Sequence, residues 1–243
     1  MISFFKRKPV PGDIIQGDGF EVVILRTNRR KSASIKVKES YITVTVPKWA
    51  RLSDIELLIA KKSDWIKKQL LRQSAAIALS QRDYTEGEKL YYRGRQLTLS
   101  LQNNSEESIS IKGEQLIIST IKGKQATQST KELISNHFKE LANQELVERT
   151  ERFAKMIGTT YTAIRVKQYK SRWGSCSNQG LISYNWRIII APDPVIDYIV
   201  IHELCHLIEH NHSPRFWSLV GQFSPNYKEQ RNWLRKKGLL LVI

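Results

Sequence analysis

Four of the five histidines of this chain fall within eleven residues, at His202, His206, His210 and His212, inside the run VIHELCHLIEHNHSPRFW. The core of the run is HELCH. On a helix, residues four apart share a face and lie about 6 Å apart along the axis. The imidazoles of His202 and His206 can then both reach one zinc ion with bonds of about 2.0–2.1 Å. Glu203 follows the first histidine directly, so its carboxylate can approach a water on the metal without being a ligand, the placement of a general base. The plainer alternative is two core histidines beside a structural glutamate. A glutamate in register and further histidines close by argue against it.

A third ligand has three sources. In an unbroken helix His210 would lie about 12 Å along the axis from His202, too far for one ion. His212 stands beside Asn211 and Ser213-Pro214, residues that end helices and turn the chain, so a turn can return it to the open side of the site. Glu229 is the only acidic residue after His212. The order is therefore His212, then Glu229, then His210, with water in a fourth, open position. Cys205 points to another face of the helix and reads as a small packing residue.

Upstream lies KSRWGSCSNQGLISYNWRIIIAPDPVIDY. Attack of an activated water on an amide develops an oxyanion, and a nearby cation or hydroxyl would stabilise it. Arg172, Tyr184, Asn185 and Arg187 are the candidates for contacting substrate or transition state, on sequence proximity alone. The stretch Leu181–Ile190 reads as an edge strand able to pair with an extended peptide.

Several elements must position these groups. Residues 1–19, with Pro9, Pro11, Gly12, Gly17 and Gly19, read as a loose lead-in. From Phe20 to Pro47 apolar residues alternate with polar ones, as strands do, and Asn28-Arg29-Arg30-Lys31 sits where a hairpin turn would fall. Ser53 can cap a helix running to about Gln73. A second strand set fills 84–121. Ser129 or Thr130 opens a long helix that Gly158 ends. Short strands follow near 164–169 and 181–190, then the histidine helix from about Pro194 to Glu209, buried through Val195, Ile196, Ile199, Val200 and Ile201. A last helix spans about 226–237. No internal repeat is evident. The expected organisation is α+β: a lead-in over 1–19, a β-rich region with one helix over 20–125, and a helical core with a small sheet over 126–243.

The 243 residues are long enough to bury a core without staples, and 41% hydrophobic with 26% charged side chains is ordinary for a globular protein. The charge is not ordinary: 39 Lys and Arg against 23 Asp and Glu give +16. Such a field attracts polyanions. Between 152 and 192 there are seven basic side chains and no acidic one. Trp49, Trp65, Tyr169 and Trp173 could stack on single-stranded bases, although the core is the commoner place for such rings. Two cysteines make no disulfide framework. The start has neither a signal-peptide pattern nor a membrane span, which makes the cytoplasm the expected compartment.

The motifs RWGSCS, ISYNWRIIIAP and IDYIVIHELCHLIEHNHSPRFW closely resemble the YgjP-like metallopeptidase domain, a family of metal-dependent hydrolases. The resemblance runs from about residue 20 to 238. It takes in the Arg-Arg-Lys turn, Trp65-Ile66, Tyr92-Arg93-Gly94 and Trp233-Leu234, and is most specific over 171–217. At the level of HExxH-x5-H the chain is also similar to the SprT-like and Wss-type proteases, which cleave proteins crosslinked to DNA. The resemblance implies a zincin-type core, His202, His206 and His212 as ligands of one zinc per chain, and Glu203 as catalytic acid and base. The expected function is zinc-dependent hydrolysis of peptide bonds in a protein or peptide substrate, with non-specific nucleic-acid contact as an accessory property. The alternatives are a basic nucleic-acid-associated protein with a structural or vestigial zinc site, or a DNA-linked protease of the SprT-like type.

Overall fold

The computed structural model describes residues 13–28, 32–38, 41–121, 129–169 and 171–243. The first twelve residues of the lead-in, the turn residues Arg29, Arg30 and Lys31, and Lys170 lie outside these. The architecture is α+β, and the chain divides into two compact units, 1–78 and 79–243.

The first unit opens with β1 (Ile14–Gln16), β2 (Glu21–Thr27), β3 (Ser34–Lys38), β4 (Tyr41–Pro47) and α1 (Leu52–Ser80), the helix continuing two residues past the unit's end. The sheet order is β1-β2-β4-β3, with β2 and β4 parallel and both outer pairs antiparallel. β2 and β3 are therefore not neighbours in the sheet, since β4 lies between them. Part of the expected lead-in is strand: β1 pairs with β2. Alternation puts Val22, Ile24, Ile42, Val44 and Val46 on one face, and Ile55, Ile59 and Ile66 of α1 close the core over them. Ser53 lies inside the first turn of α1 and does not cap it. The helix runs to Ser80 and not Gln73, because no glycine or proline interrupts it. Trp49 and Trp65 are exposed and not core residues.

The second unit repeats the plan. β5 (Lys89–Tyr92), β6 (Arg95–Asn104), β7 (Ser108–Lys112) and β8 (Gln115–Ile121) are followed by a long helix, α2 (Thr130–Ile157). The order is β5-β6-β8-β7 with the same parallel and antiparallel senses as the first sheet. The chain thus contains a topological ββββα repeat that sequence reading misses. Ser129 and Glu132 form a reciprocal capping box at the start of α2, and Gly158 ends it in the left-handed conformation.

The remainder is β9 (Ala163–Lys167), β10 (Gly174–Cys176), β11 (Leu181–Asn185), a 3₁₀ turn over Trp186–Ile190, α3 (Asp193–Cys205), α4 (Pro214–Phe223), α5 (Tyr227–Lys237) and a final 3₁₀ turn over Gly238–Leu240. One apolar core joins the second four-stranded sheet, through Leu90, Leu97 and Leu116, to α2, the 3₁₀ turn and α3. That shared core is why the second compact unit begins at residue 79. Cys205 is buried there, as a packing residue would be.

Two expectations change. The stretch 181–190 is strand only to Asn185, and its backbone then tightens into the 3₁₀ turn. β11 is also the centre of a three-stranded sheet of order β10-β11-β9, so it is not an edge; β10 is. The helix α4 was not expected at all.

Candidate active site

Three contacts fix α3 before it reaches the histidines. The β5–β6 turn docks beneath its start: Arg93 and Gly94 N–H donate to the carbonyls of Ile189 and Ile190 at 2.8 and 3.0 Å. Gly94 has φ +73, and a Cβ there would sit 2.8 Å from Pro192 Cγ, so only glycine fits. The Arg93 side chain donates to Asp193 at 2.7 and 3.0 Å and to Glu145 at 2.9 Å. Arg149 of α2, only 6% exposed, binds Glu145, Asp193 and Asp197. These charges clamp the polar side of α3 to α2 while its apolar side fills the core.

The histidine helix ends at Cys205, four residues sooner than periodicity suggests. Leu207 and Ile208 N–H bond back to Leu204 and Cys205 carbonyls at 3.0 and 3.1 Å, a tightened last turn. His206 is the C-cap, still in helical conformation, so it keeps its place one turn beyond His202. The chain then reverses at 210–213. Ser213 accepts the Phe216 N–H at 3.2 Å and caps α4.

That reversal brings His212 back to the other two. One donor atom from each of His202, His206 and His212 lies within 4.8 Å of the others, and the Nε2 atoms of His202 and His212 are 3.1 Å apart. His210 and Glu229, the other candidate ligands, are exposed and not part of the cluster.

The donor set fits a divalent metal. His206 Nδ1 lies 3.1 Å from the Glu209 carbonyl, a contact that keeps the ring proton on Nδ1 and leaves Nε2 a lone pair. Burial, then the neighbouring His206 and His212, push His202 down to about 3. Burial also lowers His206. Neutral imidazoles are what metal binding requires. Packing orients the rings: Phe216 stacks on His206 at 4.4 Å between centroids, and Trp217 on His212 at 5.4 Å. Tyr227 stacks on Trp217 in turn, and Arg231 lies over the Trp217 ring.

Glu203 is 4% exposed. Burial pushes its carboxyl up to about 8, with the charge of Arg172 pulling the other way. The wall against it is backbone: a Cβ on Gly174 would stand 2.4 Å from Glu203 Oε1. Beside it the Cys176 thiol is pushed up to about 11 by burial and by Glu203, so it stays protonated at neutral pH.

The four proposed substrate contacts separate. Arg172 is exposed, and its charge acts on Glu203. Tyr184 is fully buried, its hydroxyl 3.0 Å from Thr150 Oγ1, so it cannot meet a substrate. Asn185 is a clip: its amide donates to the Tyr169 and Arg172 carbonyls at 3.1 and 3.2 Å, and its oxygen accepts Arg187 N–H. Arg187 is half-buried and borders two recesses, neither of which has a histidine in its lining. Sequence reading missed Gly174, Phe216 and Trp217. RWGSCS gave a glycine without its partner, and Ser213-Pro214, one residue before Phe216-Trp217, was the available sign of a capped helix.

Residues 31–237 match the family described as YgjP-like, metallopeptidase domain. A solved structure, the crystal structure of the metallopeptidase zymogen of Pyrococcus abyssi abylysin, is similar at 24% identity and a TM-score of 0.36, over 38% of this chain and 93% of that one. No match was found among curated proteins.

Proposed function

The chain belongs to the YgjP-like metallopeptidase family, and from that premise we propose that it is a zinc peptidase in which His202, His206 and His212 hold one ion per chain and Glu203 is the acid and base. The observation that carries the reading is the convergence of three imidazoles one helical residue from a buried, unpaired carboxylate. Among the described residues no cation lies within ion-pair distance of Glu203. His202, His206 and His212 would hold the zinc ion, which would supply Lewis-acid chemistry toward a carbonyl and water there.

The remaining work belongs to the chain's own groups. Glu203 takes a proton from the attacking water and returns it to the departing amine. Burial makes its carboxylate more basic than an exposed one, which suits a base near neutral pH. Gly174, having no side chain, leaves the space that the Glu203 carboxylate occupies. Phe216 and Trp217 pack against the ligand rings and orient them, and Arg172 is the charge that acts on Glu203. The outer edge of β10, beside Glu203, is where an extended peptide could pair.

The substrate class is protein or peptide. The +16 charge supports nucleic-acid contact as an accessory property. Two free cysteines support a reducing compartment such as the cytoplasm, and no helix among the described residues is long and apolar enough to cross a membrane. The test is casein digestion. A chelator should abolish it and zinc restore it, and digestion that persists in a metal-stripped sample would remove the reading.

A further inference from the structure

A recess of about 270 Å³ opens beside the strand that meets Glu203, lined by Tyr169, Arg172, Trp173, Arg187, Arg235 and Gly238 among others. Trp173 immediately precedes Gly174, where a Cβ would overlap the Glu203 carboxylate, so the recess begins one residue along the chain from the glycine that faces the candidate general base. Asn185 fixes this segment through the Tyr169 and Arg172 carbonyls. Arg172, Arg187 and Arg235 line the recess and no Asp or Glu does; Arg187 also borders a second recess lined by Glu132 and Ile243, but no ion pair joins it to either among the described residues.

Arg187 carries the argument. Its Nε is buried without a hydrogen-bond partner, and burial pushes the guanidinium below its ordinary value. Its recorded side-chain neighbours are the face of Trp186, 5.6 Å to the centroid, and the buried Tyr84, a neutral phenol and not a carboxylate. Arg172 rests over the Tyr169 ring, and Arg235 donates to Asn232 Oδ1, a neutral amide, at 2.7 Å. Arg149 shows what this fold does with a buried arginine that serves structure alone: it surrounds it with Glu145, Asp193 and Asp197. A half-buried guanidinium without an anion is costly unless a ligand provides one. The recess has the size of one residue and not of a strand of repeating phosphates, and a guanidinium fork matches a carboxylate in two parallel bonds.

We infer that this recess receives a carboxylate of the peptide substrate, from an Asp or Glu side chain or from the chain terminus, with Arg187 as the specificity-determining residue and Arg172 and Arg235 at the rim. The inference rests on the peptidase reading and names the substrate class for the same site.

The test is binding, so that it stands apart from turnover. Fluorescein-labelled nine-residue Ala/Gly peptides carry a central Glu or Gln, each with a free or amidated C terminus. Anisotropy titrations use the zinc-loaded Glu203→Gln protein. A charge-assisted pair should make one acidic peptide bind about 10- to 100-fold more tightly than the Gln amide, and the favoured peptide identifies the source of the carboxylate. Arg187→Gln should bring the ratio near one, and Arg187→Lys should restore part of it. Arg235→Gln, on the exposed rim, should reduce it in a variant whose folding is not at issue. Equal affinity for all four peptides overturns the inference. So does a preference that survives both glutamine variants, or an oligothymidylate that displaces the peptide and binds more tightly. Failure of the peptidase reading shows separately, as the same peptides left uncut by the wild-type enzyme.

Discussion

Gly174→Ala is a small change with a calculable effect. The new Cβ would lie 2.4 Å from Glu203 Oε1, 2.6 Å from Cγ and 2.7 Å from Cδ, where ordinary contact begins at 3.4 Å. The side chain must therefore retreat by about 1 Å. Gly174 does not have the positive φ that disfavours alanine, so the effect is steric alone. Overpacking a well-filled site costs about 1–3 kcal/mol. At about 2–4 °C per kcal/mol for a domain of this size, the melting temperature should fall by roughly 2–12 °C. A displacement of about 1 Å at a catalytic group costs on the order of 100-fold in rate. The histidines do not touch Gly174, so bound metal should remain at one per chain. The double variant isolates the cause: in a Glu203→Ala background the clashing atoms are gone, and Gly174→Ala should cost under about 0.5 kcal/mol. Calorimetry, metal analysis and peptide turnover on the four proteins decide it. Wild-type turnover and melting in Gly174→Ala, or an equal stability cost in both backgrounds, would refute the reasoning.

His202→Ala or His206→Ala should abolish zinc binding and His212→Ala should weaken it strongly, whereas His210→Ala should leave it intact; metal analysis after dialysis checks this, and the reverse pattern for His210 and His212 would break the ligand set. Arg149→Met should destabilise the fold by about 3 kcal/mol, near the low end for breaking a buried ion pair, because Arg93 still reaches Asp193 and Arg152 still reaches Asp197; urea unfolding reads it. Burial raises the Asp193 carboxyl, but hydrogen bonds from Arg93 and Arg149 outweigh it and hold the group below its ordinary value. Its contribution is then complete above the unfolded value of about 3.9 and is lost as pH falls through the lower folded value. Stability should drop below about pH 4, less steeply in Arg149→Met, and urea midpoints between pH 3 and 6 that run parallel for the two proteins would contradict this.

The site's chemistry was readable because it is local. HELCH is a four-residue spacing, and Asn211 with Ser213-Pro214 announces the reversal that returns His212. The groups that tune the site were not, because they arrive from a distance: Gly174 meets Glu203 across twenty-nine residues of chain, and Phe216 comes from a helix concealed between two expected ones. WRIII looks like strand because apolar runs do not distinguish a buried strand from a buried turn. Tyr184 and Asn185 lie close to the histidines in sequence, yet alternation on β11 aims them at Thr150 and at the 169–172 backbone. The ββββα repeat escaped notice because the strand order, and not the residues, is what recurs. Arg187 carried no sign in sequence that it would lack an acidic partner.

The central claim is that a carboxylate which does not hold the metal performs the proton transfers, and Glu203→Gln tests it most directly. Metal content and hydrolysis of a fluorogenic peptide are measured on the same preparation at pH 7. The account expects one zinc per chain, as in the wild type, with turnover reduced by about 100- to 10,000-fold, the range for loss of a general acid–base group. Full turnover with zinc retained would contradict it, and loss of the zinc itself would make Glu203 a ligand and not the base.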